Sequence, residues 1–106
     1  MHTFTSGWLR DHGVEGDDAT LANVAAHARA ALEARISYAL VEQLDDIERA
    51  EYLKMERQKD SHQDLLQWLK LHCPDHSQII NEVTNDFQQD IIASDHPIMF
   101  ILEQTS

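Results

Sequence analysis

Apolar positions recur at intervals of three and four along most of this chain, the spacing that gathers side chains on one face of an α-helix. The longest such run is 19–44, where Leu21, Val24, Ala25, Ala28, Leu32, Ile36, Ala39 and Leu40 keep the spacing. Ala22, Ala26 and Ala30 form a second, smooth flank, and no glycine or proline interrupts the stretch. Alanine is the strongest helix former, so one long helix is expected here. At 1.5 Å per residue it would be roughly 40 Å long, more than the diameter of a compact domain of this size. The expectation is therefore that it bends or breaks near Ser37, or that part of it projects toward a partner.

The polar residues between apolar runs read as helix starts and stops. Ser6 to Arg10 forms a helical turn anchored by Trp8 and Leu9, and Gly13 supplies the left-handed residue that ends it. Asp17 or Asp18, after Gly16, caps the long helix. Asp45 and Glu48 make a capping box ahead of Ile47, Ala50 and Leu53, and Lys54, Arg57 and Lys59 suit the negative end of that helix. Asp60 or Ser61 with Asp64 opens a helix whose buried stripe is Leu65, Leu66, Trp68 and Leu69, and Pro74 stops it. Asp75 with Gln78 opens the last long helix, with Ile79, Ile80, Val83, Phe87 and Ile91 on one face. Ser94-Asp95-His96-Pro97 ends it. The pattern predicts an all-α fold, a compact bundle of four or five helices with one long N-terminal helix and an apolar C-terminal tail.

That tail, Ile98-Met99-Phe100-Ile101-Leu102, is a run of apolar residues with neither helical nor strand alternation. It either folds back over the bundle or docks on another chain. Length adds a bound: 106 residues suffice for a single helical domain over 1–106, with a core of about 7–94 and a tail of 95–106. A lone cysteine, Cys73, cannot make an internal disulfide, which favours a cytoplasmic location. The N-terminus lacks the basic-then-apolar pattern of a signal peptide, and no apolar run approaches the ~20 residues needed to cross a bilayer.

Charge changes the picture of partners. The net charge of −11 argues against direct nucleic-acid binding and against anionic membrane surfaces. Beyond Lys70 there is no basic residue, while Asp75, Glu82, Asp86, Asp90, Asp95 and Glu103 remain. Steps of four place Glu82, Asp86 and Asp90 along one helix flank, where like charges repel and Asp90 meets the helix's negative end. A solvated face explains such a stripe; so does a surface for a basic partner.

Candidate chemistry is sparse. No G-x-G-x-x-G, Walker-type loop or H-E-x-x-H occurs, and no cofactor is expected. His72, Cys73 and His76 place metal-type donors within five positions, and His62 could complete them only through tertiary folding. The blander account is a loop in which Cys73 packs inward and Asp75 caps a helix. Seven histidines, at 2, 12, 27, 62, 72, 76 and 96, are scattered and read as polar surface positions, with a pH-sensing role as the alternative. Catalysis is not expected.

Three segments together carry a family resemblance. They are Leu44-Asp45-Asp46-Ile47-Glu48-Arg49-Ala50-Glu51-Tyr52-Leu53, then Leu65-Leu66-Gln67-Trp68-Leu69-Lys70, then Pro74-Asp75 with the helix through Ile91-Ile92. Over about residues 7–92 the chain resembles an uncharacterised bacterial domain-of-unknown-function family found mostly in small-genome candidate-phylum bacteria. The family layout is a helix, an L-[DP]-x-x-E-R/K-x-x-[FY]-L segment, an F/W-L-K helix, then P-[DN] and a closing helix. The alanine-rich first helix and the tail 97–102 depart from it. The resemblance implies a helical fold and transfers no site.

The leading functional expectation is a non-catalytic protein–protein interaction or accessory module, with a protein partner that includes a second copy of itself as a homodimer. Its candidate contact residues are Glu82, Asp86, Asp90, Ile98, Met99, Phe100, Ile101 and Leu102. The first alternative is an acidic inhibitor or nucleic-acid mimic directed at a basic partner, of the phage anti-defence type. The second is a small metal-binding protein using His72, Cys73 and His76.

Overall fold

The computed structural model describes residues 4–104, apart from the side chain of His62. Residues 1–3 and 105–106, with the histidine at position 2, lie outside the described residues. The described residues are all-α: α1 (Ser6–Asp11), α2 (Asp18–Glu42), α3 (Asp46–Arg57), α4 (His62–His72), α5 (His76–Ala93) and α6 (Pro97–Glu103). Six helices thus replace the expected four or five, because the apolar tail is itself helical. Pro97 occupies the first turn of α6, where its missing N–H and fixed φ cost nothing.

The helix starts follow the sequence signals closely. Thr5 Oγ1 accepts from Trp8 N–H at 3.0 Å, and Asp17 Oδ1 accepts from Thr20 N–H at 2.7 Å. That second bond holds the Asp17 carboxyl below its usual range. Asp45 and Glu48 complete both halves of the capping box. Ser61, rather than Asp60, caps α4, with Oγ accepting from Asp64 N–H at 3.1 Å. Asp75 takes the cap position of α5 through its carbonyl, which accepts from Ile79 N–H, while Gln78 donates to Glu82. Gly13, at φ 85°, ends α1 as expected. At the end of α3 the left-handed residue is Lys59, at φ 59°, where a glycine would be the easier choice.

Two helix ends share a device the sequence reading did not single out. Trp8-Leu9-Arg10-Asp11-His12 closes α1 and Trp68-Leu69-Lys70-Leu71-His72 closes α4. In each, the histidine Nδ1 lies 2.8 Å from the tryptophan carbonyl four residues back, which it meets as a donor because a carbonyl only accepts. The rings stack, with centroids 4.2 Å apart at Trp8–His12 and 4.0 Å at Trp68–His72. The leucine between them is fully buried in both. The histidine ring thereby adds a side-chain donor to a carbonyl of the last turn, which at Trp8 the backbone N–H of His12 also reaches.

The chain divides into two compact units, one of residues up to Ala34 together with those from Thr84 onward, the other Arg35–Val83. In the first, Phe4 packs edge-on against Trp8 and Phe87, and Phe87 meets Phe100. Leu9, Leu21, Val24, Ala25, Ala28, Ile91 and Ile101 complete that core. Arg29 Nη1 donates to the Phe4 carbonyl at 2.6 Å and ties the N-terminal segment to α2. In the second, α3 packs on α4, Tyr52 lies beside Trp68, and Ile36, Leu40, Leu44, Leu69 and Cys73 are buried. Helix α2 runs unbroken through Ser37, which is buried, and lends its first part to one unit and its last part to the other. No break occurs at Ser37.

Candidate interaction surface

The acidic stripe lies on α5 with Glu82, Asp86 and Asp90 all exposed. Glu82 Oε1 accepts from Gln78 Nε2 at 3.2 Å. The last turn of α5 holds no basic side chain to offset its negative end. The tail residues divide. Ile101 is fully buried and Phe100 is half-buried against Phe87, so both are core. Ile98 is half-buried, while Met99 at 60% and Leu102 at 37% face outward. Helical geometry turns Ile101 inward and leaves Met99 and Leu102 for the surface.

The histidine–cysteine segment serves the ends of α4 and α5. His72 Nδ1 donates to Trp68, His76 Nδ1 lies 2.9 Å from the Cys73 carbonyl, and Cys73 Sγ donates to the Leu40 carbonyl at 3.4 Å. Burial, and then the Glu48 carboxylate, push the Cys73 thiol above its ordinary pKa, which makes it a poor thiolate ligand or nucleophile. Among the described residues, no group of three or more His, Cys, Asp or Glu side chains is placed to hold a metal ion. The side chain of His62, the remaining candidate, lies outside the described residues.

Helix α3 holds the surface that sequence reasoning missed. Its capping box was expected to launch an apolar face of Ile47, Ala50 and Leu53. These three residues do share a face, but it is the wrong one for the core. At about 100° per residue they span an arc of roughly 120° centred on Ala50, and Tyr52 lies roughly 160° away. Tyr52 is the buried residue of α3, whereas Ile47 is 75% exposed and Leu53 46%. Ile47 and Ala50 line a shallow depression with Asp46, Glu51 and Lys54 at its rim. Leu71 on α4 and Tyr38 on α2 are also exposed in this unit. The only cue in the sequence was aromatic: Tyr52 and Trp68 supply larger apolar area than Ile47, so the core takes them first.

With six helices, no strand among the described residues and no helix long and apolar enough to cross a membrane, the chain is an all-α protein. It belongs to the family described as "Protein of unknown function (DUF5663)", which matches residues 9–91. No curated protein and no solved structure matches the chain significantly. The family match ends before α6 and begins after Trp8, so α6 and the N-terminal half of α1 are outside it.

Proposed function

We propose that this protein is a non-catalytic interaction module, of bacterial origin and cytoplasmic, that docks a protein partner through the outward face of α3. The observation that carries this reading is the position of Ile47, Ala50 and Leu53, opposite the side of α3 that the fold buries. Leaving an isoleucine three-quarters exposed forgoes burial worth about 1.5–3 kcal/mol, which a partner would recover. The proposal is tested with purified protein crosslinked in its native extract through a photoreactive residue at position 51. Labelled partner peptides, or self-crosslinks, that disappear on Ile47→Asp support it. Identical crosslinking of both forms contradicts it.

A second reading is favoured by the exposure of all three carboxylates at Glu82, Asp86 and Asp90. In it, α5 presents an acidic flank to a basic protein. Charge reversal at those three positions would abolish binding to the basic target and leave α3-dependent contacts intact.

A further inference from the structure

The α3 face has a charge order along its length as well as an apolar centre. Asp46 stands in its first turn and Lys54 and Arg57 in its last. Half of the chain's eight basic residues, Arg49, Lys54, Arg57 and Lys59, fall on this helix or just past it. The C-terminal end of α3 gathers Lys54, Arg57 and Lys59 against Glu56 and Asp60, a net positive stretch on a chain of net charge −11. Ala50, the smallest residue of the face, is at its middle.

We infer that the occupant of this face is a second copy of the same chain, its α3 antiparallel to the first and crossing at Ala50; this rests on the interaction-module reading above. Antiparallel pairing centred on Ala50 sets Asp46 of each copy at the level of the other copy's Lys54. Ile47 comes level with the other copy's Leu53, and the two alanines allow close approach at the two-fold axis. One patch thereby meets itself, as an isologous two-fold interface requires. A parallel arrangement would set Asp46 beside Asp46 and Lys54 beside Lys54, so the charge order selects the antiparallel one. The positive ends of each helix also meet the other's negative ends. The apolar part of the patch is three side chains per copy, Ile47, Ala50 and Leu53, against the roughly 20–30 residues a side of stable complexes, so the dimer is weak and reversible.

The pairing makes a prediction that docking of a different protein on this face does not share. In Asp46→Lys, both ends of the interface hold like positive charges; in Lys54→Asp, both hold like negative charges. Each variant alone should be monomeric in sedimentation velocity up to millimolar concentration, at an ionic strength near 0.15 M, where the Debye length is about 8 Å and net repulsion is confined. Mixed in equal amounts they restore both charge pairs, and a heterodimer should form at least as tightly as the wild type. Circular dichroism checks that each variant is folded. Association of the wild type that neither single change disturbs, or a mixture that stays monomeric, overturns the antiparallel pairing. A wild-type protein that is monomeric at millimolar concentration overturns self-association itself. In either case Ile47-dependent crosslinks to a different protein would still uphold the interaction module, so the two proposals fail separately.

Discussion

The two units use their apolar side chains differently. The unit containing α1 and α6 buries twelve apolar residues, Phe4, Leu9, Val14, Leu21, Val24, Ala25, Ala28, Ala31, Leu32, Phe87, Ile91 and Ile101. The unit built on α3 and α4 buries six, Ile36, Leu40, Leu44, Tyr52, Leu69 and Cys73, and exposes Tyr38, Ile47, Leu53 and Leu71. Nine of the first unit's twelve are at most 1% exposed; in the second only Leu40 and Leu69 are. The first unit's core is closed by its own aromatics, and its exposed large apolar residues are Ile92, Met99 and Leu102. The second keeps a thin core and leaves its remaining apolar surface available for contact.

The largest expected effects probe the closed unit. Phe87→Ala removes the ring that joins Phe4 to Phe100 and should cost about 3–5 kcal/mol in urea unfolding. A loss under 1 kcal/mol would show that the aromatic cluster is not the anchor of that unit. Next comes the tail, where Ile101→Ala should cost about 2–5 kcal/mol and Met99→Ala less than about 0.5 kcal/mol. Equal effects would remove the division of the tail into an inner and an outer side.

A smaller effect sharpens the account of the thin unit. Burial raises the Tyr52 hydroxyl, with Glu56 adding to it, and raises the Cys73 thiol, with Glu48 adding to it. Each is therefore neutral in the folded chain at a pH where the unfolded chain has begun to ionise. Their contribution is complete below the ordinary values of 9.0 for cysteine and 10.0 for tyrosine, and is lost as pH rises through the raised folded values. Stability should fall on alkaline titration, less so in Cys73→Ala and in Tyr52→Phe. A slope unchanged in both variants would locate the alkaline sensitivity elsewhere.

The parts of the fold legible in the sequence are those set by local chemistry. The Asp45–Glu48 box, the Ser61 cap, Gly13 and the stop at Pro74 depend on residues within one turn, so short-range pattern is enough. The helicity of 97–103 was not legible, because five adjacent apolar residues carry no period. Helix α3 failed for a different reason. Two of its faces have apolar residues at helical spacing, and only the long-range meeting of Tyr52 with Trp68 decides which is buried. The candidate surface was hidden by the same ambiguity. His72, Cys73 and His76, adjacent in sequence, instead each satisfy a backbone carbonyl.

The central claim is that α3 has two jobs on opposite faces, with Tyr52 holding the fold and Ile47 holding a second copy. Sedimentation equilibrium of the wild type beside Ile47→Asp tests it most directly. The account predicts that the wild-type mass rises above 12.2 kDa with concentration toward that of a dimer. The variant should stay at the monomer mass with its unfolding free energy changed by no more than about 0.5 kcal/mol. Matching mass curves for the two proteins, or a variant that unfolds, would contradict it.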